Sequence, residues 1–277
     1  MKSFPTNRRG TFFGFSQFIG GLSAVLAGFL ISKILGDTNL IFPKNYGMLL
    51  LIELVIFLLG FSFFFILKEK PDEEPKDKIS LLESLKEIPR IIRENQNVRR
   101  LTIIQFLISF YSMAFPFYSI YILTKLSASE SLLGLLLTFQ MLGRLIFSFI
   151  SARLCNRNLN KKLIQYSVLM LLAPPILTVA IGTLPSRVIA YSSLLIFTFI
   201  GASMGGIWVG IQNYVISEVK DKRRRPILLG FISSINVITS ILPLLGGIIV
   251  GYLPYEAVFV ASFIPILFSL MLTHNLK

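Results

Sequence analysis

The sequence predicts an all-α, polytopic membrane protein with eight transmembrane helices, and three observations predict it. Of the 277 residues 54% are apolar and only 15% are charged, and mean hydropathy is +0.73, a balance far from that of a soluble domain. The apolar residues come in blocks of about 20, the length an α-helix needs to cross roughly 30 Å of hydrocarbon. Charges are confined to short segments between the blocks, so the formal charge of +13 reads as a determinant of orientation rather than as a nucleic-acid surface.

Taken in order, the blocks run approximately 11–35, 48–67, 101–124, 131–152, 163–182, 187–217, 226–250 and 256–273. The first follows Lys2, Arg8 and Arg9 as a signal peptide would, but its apolar run is far longer than a secretory core of 7–15 residues, so it is read as a membrane helix. The shortest connections, around Gly182 to Arg187 and Gly251 to Glu256, can only join antiparallel neighbours. Lys and Arg number three in 1–10, nine in 68–100, four in 153–162, five in 218–225 and one in 274–277. The opposite side has only Lys33, Lys44, Lys125 and Arg187. The positive-inside bias then puts both termini in the cytoplasm of a multi-pass plasma-membrane protein. The run Lys220 to Arg225 serves first as a topology determinant, with attraction to anionic lipid as an addition.

One Cys (Cys155) and one His (His274) exclude a disulfide framework and a Cys/His zinc site, so no metal or other cofactor is expected. There is no Walker sequence and no nucleophile–base or paired-carboxylate arrangement, so the chain is not read as an enzyme.

An internal repeat organises the helices. Arg8-Arg9 followed after four residues by Gly14-Phe15 matches Arg224-Arg225 followed after four residues by Gly230-Phe231. At that offset Gln17, Gly20, Ala24 and Ala27 fall on Ser233, Asn236, Ser240 and Pro243, each set forming one helix face. A six-helix period in a chain with eight spans gives three parts. Residues 1–67 hold the last two helices of a first bundle whose first four are absent, 68–100 form a cytoplasmic linker, and 101–277 form a complete six-helix bundle. Within the linker, Pro71 to Lys78 is too charged to insert, and Ser80 with Glu83 suggests a capping box. Leu82, Leu85, Ile88 and Ile92 then outline an amphipathic surface helix bent at Pro89.

Two six-helix units joined by such a linker resemble the major facilitator superfamily of secondary transporters. The loop after the fourth span is similar to that family's Gly-x-Leu-Ala-Asp-Arg-x-Gly-Arg-Lys signature: it reads Ala152-x-Leu154-Cys155-Asn156-Arg157-x-Leu159-Asn160-Lys161-Lys162, with both glycines and the aspartate replaced. Arg8-Arg9-Gly10 is similar to the family's approach to its fifth helix. The resemblance covers the family's helices five to twelve. It implies a partial two-bundle fold, and transport of a small solute by alternating access around a central site. It makes Asn156, Arg157, Lys161 and Lys162 a cytoplasmic gate loop, in which Asn156 offers only a neutral hydrogen bond. The chain is then expected to be a truncated or partial transporter whose partners are the lipid bilayer and a small solute, with its four missing helices supplied by an upstream segment or a second chain, or lost from a decayed gene. The alternative is a non-transporting scaffold or sensor subunit.

Gln105, Ser109, Ser112, Pro116 and Ser119, spaced four, three, four and three, share a narrow arc of the third span, with Tyr111 and Tyr118 on an adjoining face. The resemblance makes this span the family's seventh, cavity-lining helix, and Pro116 would loosen it at mid-depth. The same stripe also suits close helix packing. In the sixth span Thr198, Gly201, Gly205, Trp208 and Gln212 share one face, while Ala202, Gly206 and Gly210 form a packing ladder on another. Trp208, the single tryptophan, suits either stacking on a substrate ring or filling the core beside the glycines. Asn236 joins the substrate path through the repeat stripe. Two charges lie inside spans. Arg144 is either a counter-ion for an anionic substrate or a side chain that snorkels, and Glu53 is either a coupling group or a group reaching the outer interface. A neutral, hydroxyl-rich path suits sugars or amphipathic compounds better than multiply charged ions.

Overall fold

The computed structural model describes residues 9–66, 81–126, 129–181, 186–219, 221 and 224–276, so the Ser80–Glu83 capping box lies outside the described side chains. All regular structure among them is helical: α1 (Arg9–Leu35), α2 (Lys44–Ser62), a 3-10 turn (Phe63–Ile66), α3 (Leu81–Glu94), α4 (Gln96–Ile108), α5 (Tyr111–Leu126), α6 (Ser131–Asn156), α7 (Asn160–Ile181), α8 (Ser186–Glu218), α9 (Arg224–Thr239), α10 (Leu242–Tyr252) and α11 (Tyr255–His274). Seven helical stretches among the described residues are long and apolar enough to cross a membrane. The remaining expected span is α1, a helix of 27 residues whose described apolar part is Ile19–Leu35. Their apolar side chains point outward, as in α2, where Leu50 is 65% and Phe57 64% exposed. Surfaces of that kind are stable against lipid. The protein is a multi-pass membrane protein.

The chain divides into two compact units, Met1–Lys78 with Ser129–Thr138, and Ile79–Ala128 with Phe139–Lys277. In the first unit α1 meets the beginning of α6 backbone to backbone. A Cβ on Gly28 would lie 2.1 Å from Thr138 Oγ1, and one on Gly134 would lie 2.2 Å from the Ser32 nitrogen. Small residues on both helices permit that approach. Near the start of α2, the buried Asn45 donates through Nδ2 to Glu130 Oε2 at 3.5 Å.

In the second unit α8 packs along α7 through the expected ladder: a Cβ on Gly206 would meet Ser167 Oγ at 2.0 Å, and one on Gly210 would meet Ile164 Cγ1 at 2.9 Å. α11 lies against α4, α5 and α7, while α9 runs beside α4 and α10 beside α5. Ile91, Val98, Ile164, Ile211, Leu228 and Leu276 belong to one core that ties these helices together.

Three expectations need correction. The bundle starts at Gln96 rather than 101, because Asn95 caps α4 by accepting from the backbone N–H groups of Asn97 (2.9 Å) and Val98 (3.1 Å). α3 is a helix, with Pro89 inside it, but it does not lie apart from the bundle: Ile88 and Ile91 are buried, and Ile91 joins the core. The third and seventh apolar blocks are not single helices. One breaks at Ser109–Phe110 between α4 and α5, the other at Ser240–Ile241 between α9 and α10.

Candidate functional site

Both interruptions show in the local hydrogen bonding. At the end of α4 the Ser109 hydroxyl donates to the Gln105 carbonyl at 2.8 Å, and the Ser112 hydroxyl donates to the Ser109 carbonyl at 2.8 Å. The backbone tightens there, Phe110 N–H reaching Leu107 O at 3.3 Å and Ser112 N–H reaching Ser109 O at 3.0 Å. The Ser109 N–H keeps its four-residue bond to the Gln105 carbonyl at 3.1 Å, and three-residue bonds appear from Phe110 onward. Pro116 sits inside α5 and is not the break. In the other pair Pro243 has no N–H to offer the Thr239 carbonyl and its ring crowds that oxygen. Ser240 accordingly turns back on Val237, with N–H at 3.3 Å and hydroxyl at 2.7 Å.

The two interruptions lie at one level. Just before them, Gln105 Nε2 donates to Asn236 Oδ1 at 2.9 Å, and Ser109 Oγ lies 3.4 Å from the same oxygen. Just after them, a Cβ on Gly246 would sit 2.3 Å from the Met113 carbonyl oxygen. Gln105 and Ser109 are buried and Asn236 is exposed, so the cluster has a closed side on α4 and an open side on α9. Satisfying these groups within the membrane requires that they meet each other or water.

The other expected path residues are dispersed. Ser112 is half-buried and turned onto its own backbone, and Pro116 is exposed. Ser119 donates to the Pro116 carbonyl at 3.2 Å. Tyr118 is 5% exposed and stacked on Phe259 of α11 at 4.7 Å, with Ser262 beside its hydroxyl, so that position packs rather than lines. On α8, Gly201 and Gly205 are occupied by α6: a Cβ on Gly201 would lie 1.7 Å from the Gln140 carbonyl oxygen, and one on Gly205 3.1 Å from that of Arg144. Farther along, Trp208 is 44% exposed and Gln212 half-buried. Arg144 is exposed on α6, and Glu53 is exposed on α2 in the other unit.

The loop residues also separate. Asn156, Arg157 and Lys162 are exposed at the α6–α7 turn, where Asn158 takes φ 55°. Lys161 instead closes the end of α11, donating through Nζ to the carbonyls of His274 (2.9 Å) and Leu276. Arg100 donates to the Asn275 carbonyl. Cations on the free carbonyls of a helix C-terminus are favourable partners.

A polar network at the same end of the unit was not singled out from the sequence. Glu94 pairs with Arg90 (2.7 Å) and Arg224 (3.1 Å), and Glu218 accepts from Asn97 (2.9 Å) and Asn95 (3.3 Å). Arg225, part of the expected topology determinant, donates to the Val219 carbonyl at 2.7 Å. The Arg90 guanidinium, with Arg224 contributing, holds the Glu94 carboxyl below the usual carboxylate range. At the opposite end, Tyr121 donates to Glu256 at 3.0 Å. Among the described residues no three His, Cys, Asp or Glu side chains come together as a metal site would need.

A family model, Major Facilitator Superfamily, matches residues 101–274. No curated protein matches the chain.

Proposed function

The chain belongs to the Major Facilitator Superfamily, and from that premise we propose that it carries a small solute across the membrane by alternating access, with the path running past the Gln105–Ser109–Asn236 cluster. The observation that carries the reading is that cluster: three neutral polar side chains converge inside two membrane spans, beside interruptions where three-residue backbone bonds appear. Irregular backbone at membrane depth is tolerated where it lines a cavity or is buried in protein, and Asn236 is on the open side. Gln212 and Trp208 extend the path along α8, and the exposed gate residues Asn156, Arg157 and Lys162 meet the rest of the transporter at the cytoplasmic end. Both termini and the linker face the cytoplasm, and the protein resides in the plasma membrane.

The test is solute flux in liposomes containing the purified protein, using a panel of sugars, amino acids, amphipathic drugs and organic acids. Flux of at least one solute, lost or shifted in KM by Asn236→Ala and Gln105→Ala, supports the reading. No flux of any solute favours a scaffold or sensor subunit instead. Reporter fusions at Lys76, Lys161 and Lys222 check the orientation, and an external signal at any of them contradicts it.

A further inference from the structure

The connection between α1 and α2 is ordered by its own hydrogen bonds. Asp37 Oδ1 accepts from the Asn39 backbone N–H at 2.9 Å and from its side-chain amide at 3.1 Å, and the Leu40 N–H reaches the Asp37 carbonyl at 3.1 Å. These bonds close a polar turn at the end of α1. A second turn opens α2, with the Lys44 N–H on the Ile41 carbonyl at 2.9 Å and the Gly47 N–H on that of Pro43 at 3.0 Å. Buried Asn45 then ties this end to Glu130 of the α6 start, with the Tyr46 hydroxyl beside the same carboxylate.

Between these two fastenings the loop holds a pair of large apolar side chains away from the protein. Ile41 is 68% and Phe42 72% exposed. Single exposed apolar residues are ordinary, but an ordered backbone that displays an adjacent Ile and Phe leaves apolar area to be covered by something other than water.

What covers it follows from α2. Phe42 meets Tyr46 edge-on with ring centres 5.8 Å apart, and Leu50 and Leu54, both exposed, continue the same four-residue row. The apolar tip is therefore continuous with the lipid-facing surface of a membrane span. The 19 residues of α2 rise about 28 Å, close to the roughly 30 Å of the hydrocarbon layer. Its first residue, Lys44, accordingly stands at the edge of the headgroup zone, which is about 5–8 Å deep. Phe42 lies two residues before it, no more than about 7 Å of chain. Lys44 is itself exposed, and its stem is long enough to run over apolar surface while the ammonium stays among phosphates.

We propose that the α1–α2 loop is seated in the membrane interface, with phospholipid as its partner: Ile41 and Phe42 enter the boundary between headgroups and acyl chains, and Lys44 lies among the phosphates. Aromatic and branched apolar side chains gain most at that level, where the loop backbone keeps its own hydrogen bonds and the rest of its polar groups stay wet. The seat goes beyond the transporter reading and does not depend on it, since it fixes the depth of the α1–α2 hairpin whatever the chain carries.

Fluorescence quenching of the full chain in phosphatidylcholine vesicles tests the proposal. Trp208→Phe removes the single tryptophan, and Phe42→Trp in that background puts one at the tip of the loop. Lipid brominated near the top of its acyl chains should remove about half or more of the emission, and aqueous acrylamide should remove much less. Thr38→Trp in the same background, on the exposed polar turn, controls for the affinity of tryptophan itself for interfaces: it should respond to acrylamide and not to bromine. Each variant is first shown to melt like the parent, and Ile41→Trp gives the same reading should the Phe42 variant not fold. Quenching by acrylamide alone would put the loop in water. Indifference to both quenchers would put it against protein, either a second copy or another chain. Identical responses at 38 and 42 would trace the bromine effect to the tryptophan and not to the loop. Any of these three results overturns the proposal, whereas bromine quenching confined to the Ile41 and Phe42 positions supports it.

Discussion

The seam between α6 and α8 can be broken with one methyl group. In Gly201→Ala the new Cβ would stand 1.7 Å from the Gln140 carbonyl oxygen and 2.7 Å from its carbon, where ordinary contact begins at 3.4 Å. Both obstacles are backbone, so neither can rotate away, and the helices must part by about 1.7 Å at that level. Separation also loosens the next contact, where Gly143 lies against the Thr198 carbonyl. Alanine favours the helix by about 1 kcal/mol over glycine, and forcing an extra methyl into a packed contact costs about 1–3 kcal/mol before the lost neighbouring contacts are added. The overlap is severe enough that the upper part of that range applies, and a net loss of about 1–2 kcal/mol follows. Cys155 supplies the assay, because it is the single cysteine and is half-buried 3.4 Å from Asn213 Nδ2. A thiol-reactive fluorogenic dye therefore reports unfolding of this unit, at a fixed heating rate since membrane proteins commonly unfold irreversibly. The expected midpoint is lower by roughly 2–8 °C. Gly230→Ala is the control, for a Cβ there meets nothing within 4 Å, and its midpoint should not fall. A Gly201→Ala midpoint at or above that of the parent, or an equal fall in Gly230→Ala, would refute the backbone contact.

Three further outcomes are expected. Gln105→Ala and Asn236→Ala should be coupled, with a double-mutant cycle giving about 0.6–1.7 kcal/mol, the range for hydrogen bonds between membrane helices; additive effects would mean that their 2.9 Å bond contributes nothing. Lys161→Met should lower stability by about 0.3–1 kcal/mol through the lost cap on α11, whereas Asn156→Ala should leave the melting midpoint unchanged; a purely kinetic effect of Lys161→Met on flux would contradict the capping role. Because the carboxyl of Glu94 is depressed, its contribution is complete above the ordinary carboxylate pKa and is lost as pH falls through the lower, folded value. Proteolysis near α3 should therefore accelerate below about pH 4 and be imitated at neutral pH by Glu94→Gln; equal cleavage of the parent and Glu94→Gln at pH 7 would argue against the pairing.

The helices themselves were legible because a membrane imposes a length, and blocks such as 131–152 and 256–273 carry it in their apolar residues alone. The ladder Ala202, Gly206 and Gly210 was legible as a packing surface for the same reason that it works: glycine leaves a groove whatever fills it. Gly201, Gly205 and Trp208 show the limit, since helical spacing puts them on one face and cannot say that α6 occupies only the first two. The breaks were not legible from hydropathy. Ser109 reads as one polar residue in a stripe, and only geometry reveals that three-residue backbone bonds begin just after it. Pro243 is a breaker by its chemistry, yet the repeat alignment presented it as a member of a face. Lys161 was assigned by its place in a loop motif, and its carbonyl partner lies 113 residues away, a pairing no local pattern encodes.

The unbroken α11 lies against both α4 and α5, while α4/α5 and α9/α10 are interrupted side by side at one level. The halves before the breaks are keyed together by Gln105 and Asn236, the halves after them by Met113 and Gly246. At the junctions the side-chain approach is that of Ser109 to Asn236 at 3.4 Å, a weaker tie than the flanking ones, so they act together as a crease. Strain applied to the far end of α5 is then handed to α10 as a paired tilt instead of being spread along two rods. Hydrogen exchange concentrated at residues 109–112 and 240–243, with quiet flanks, would be the mark of such a crease.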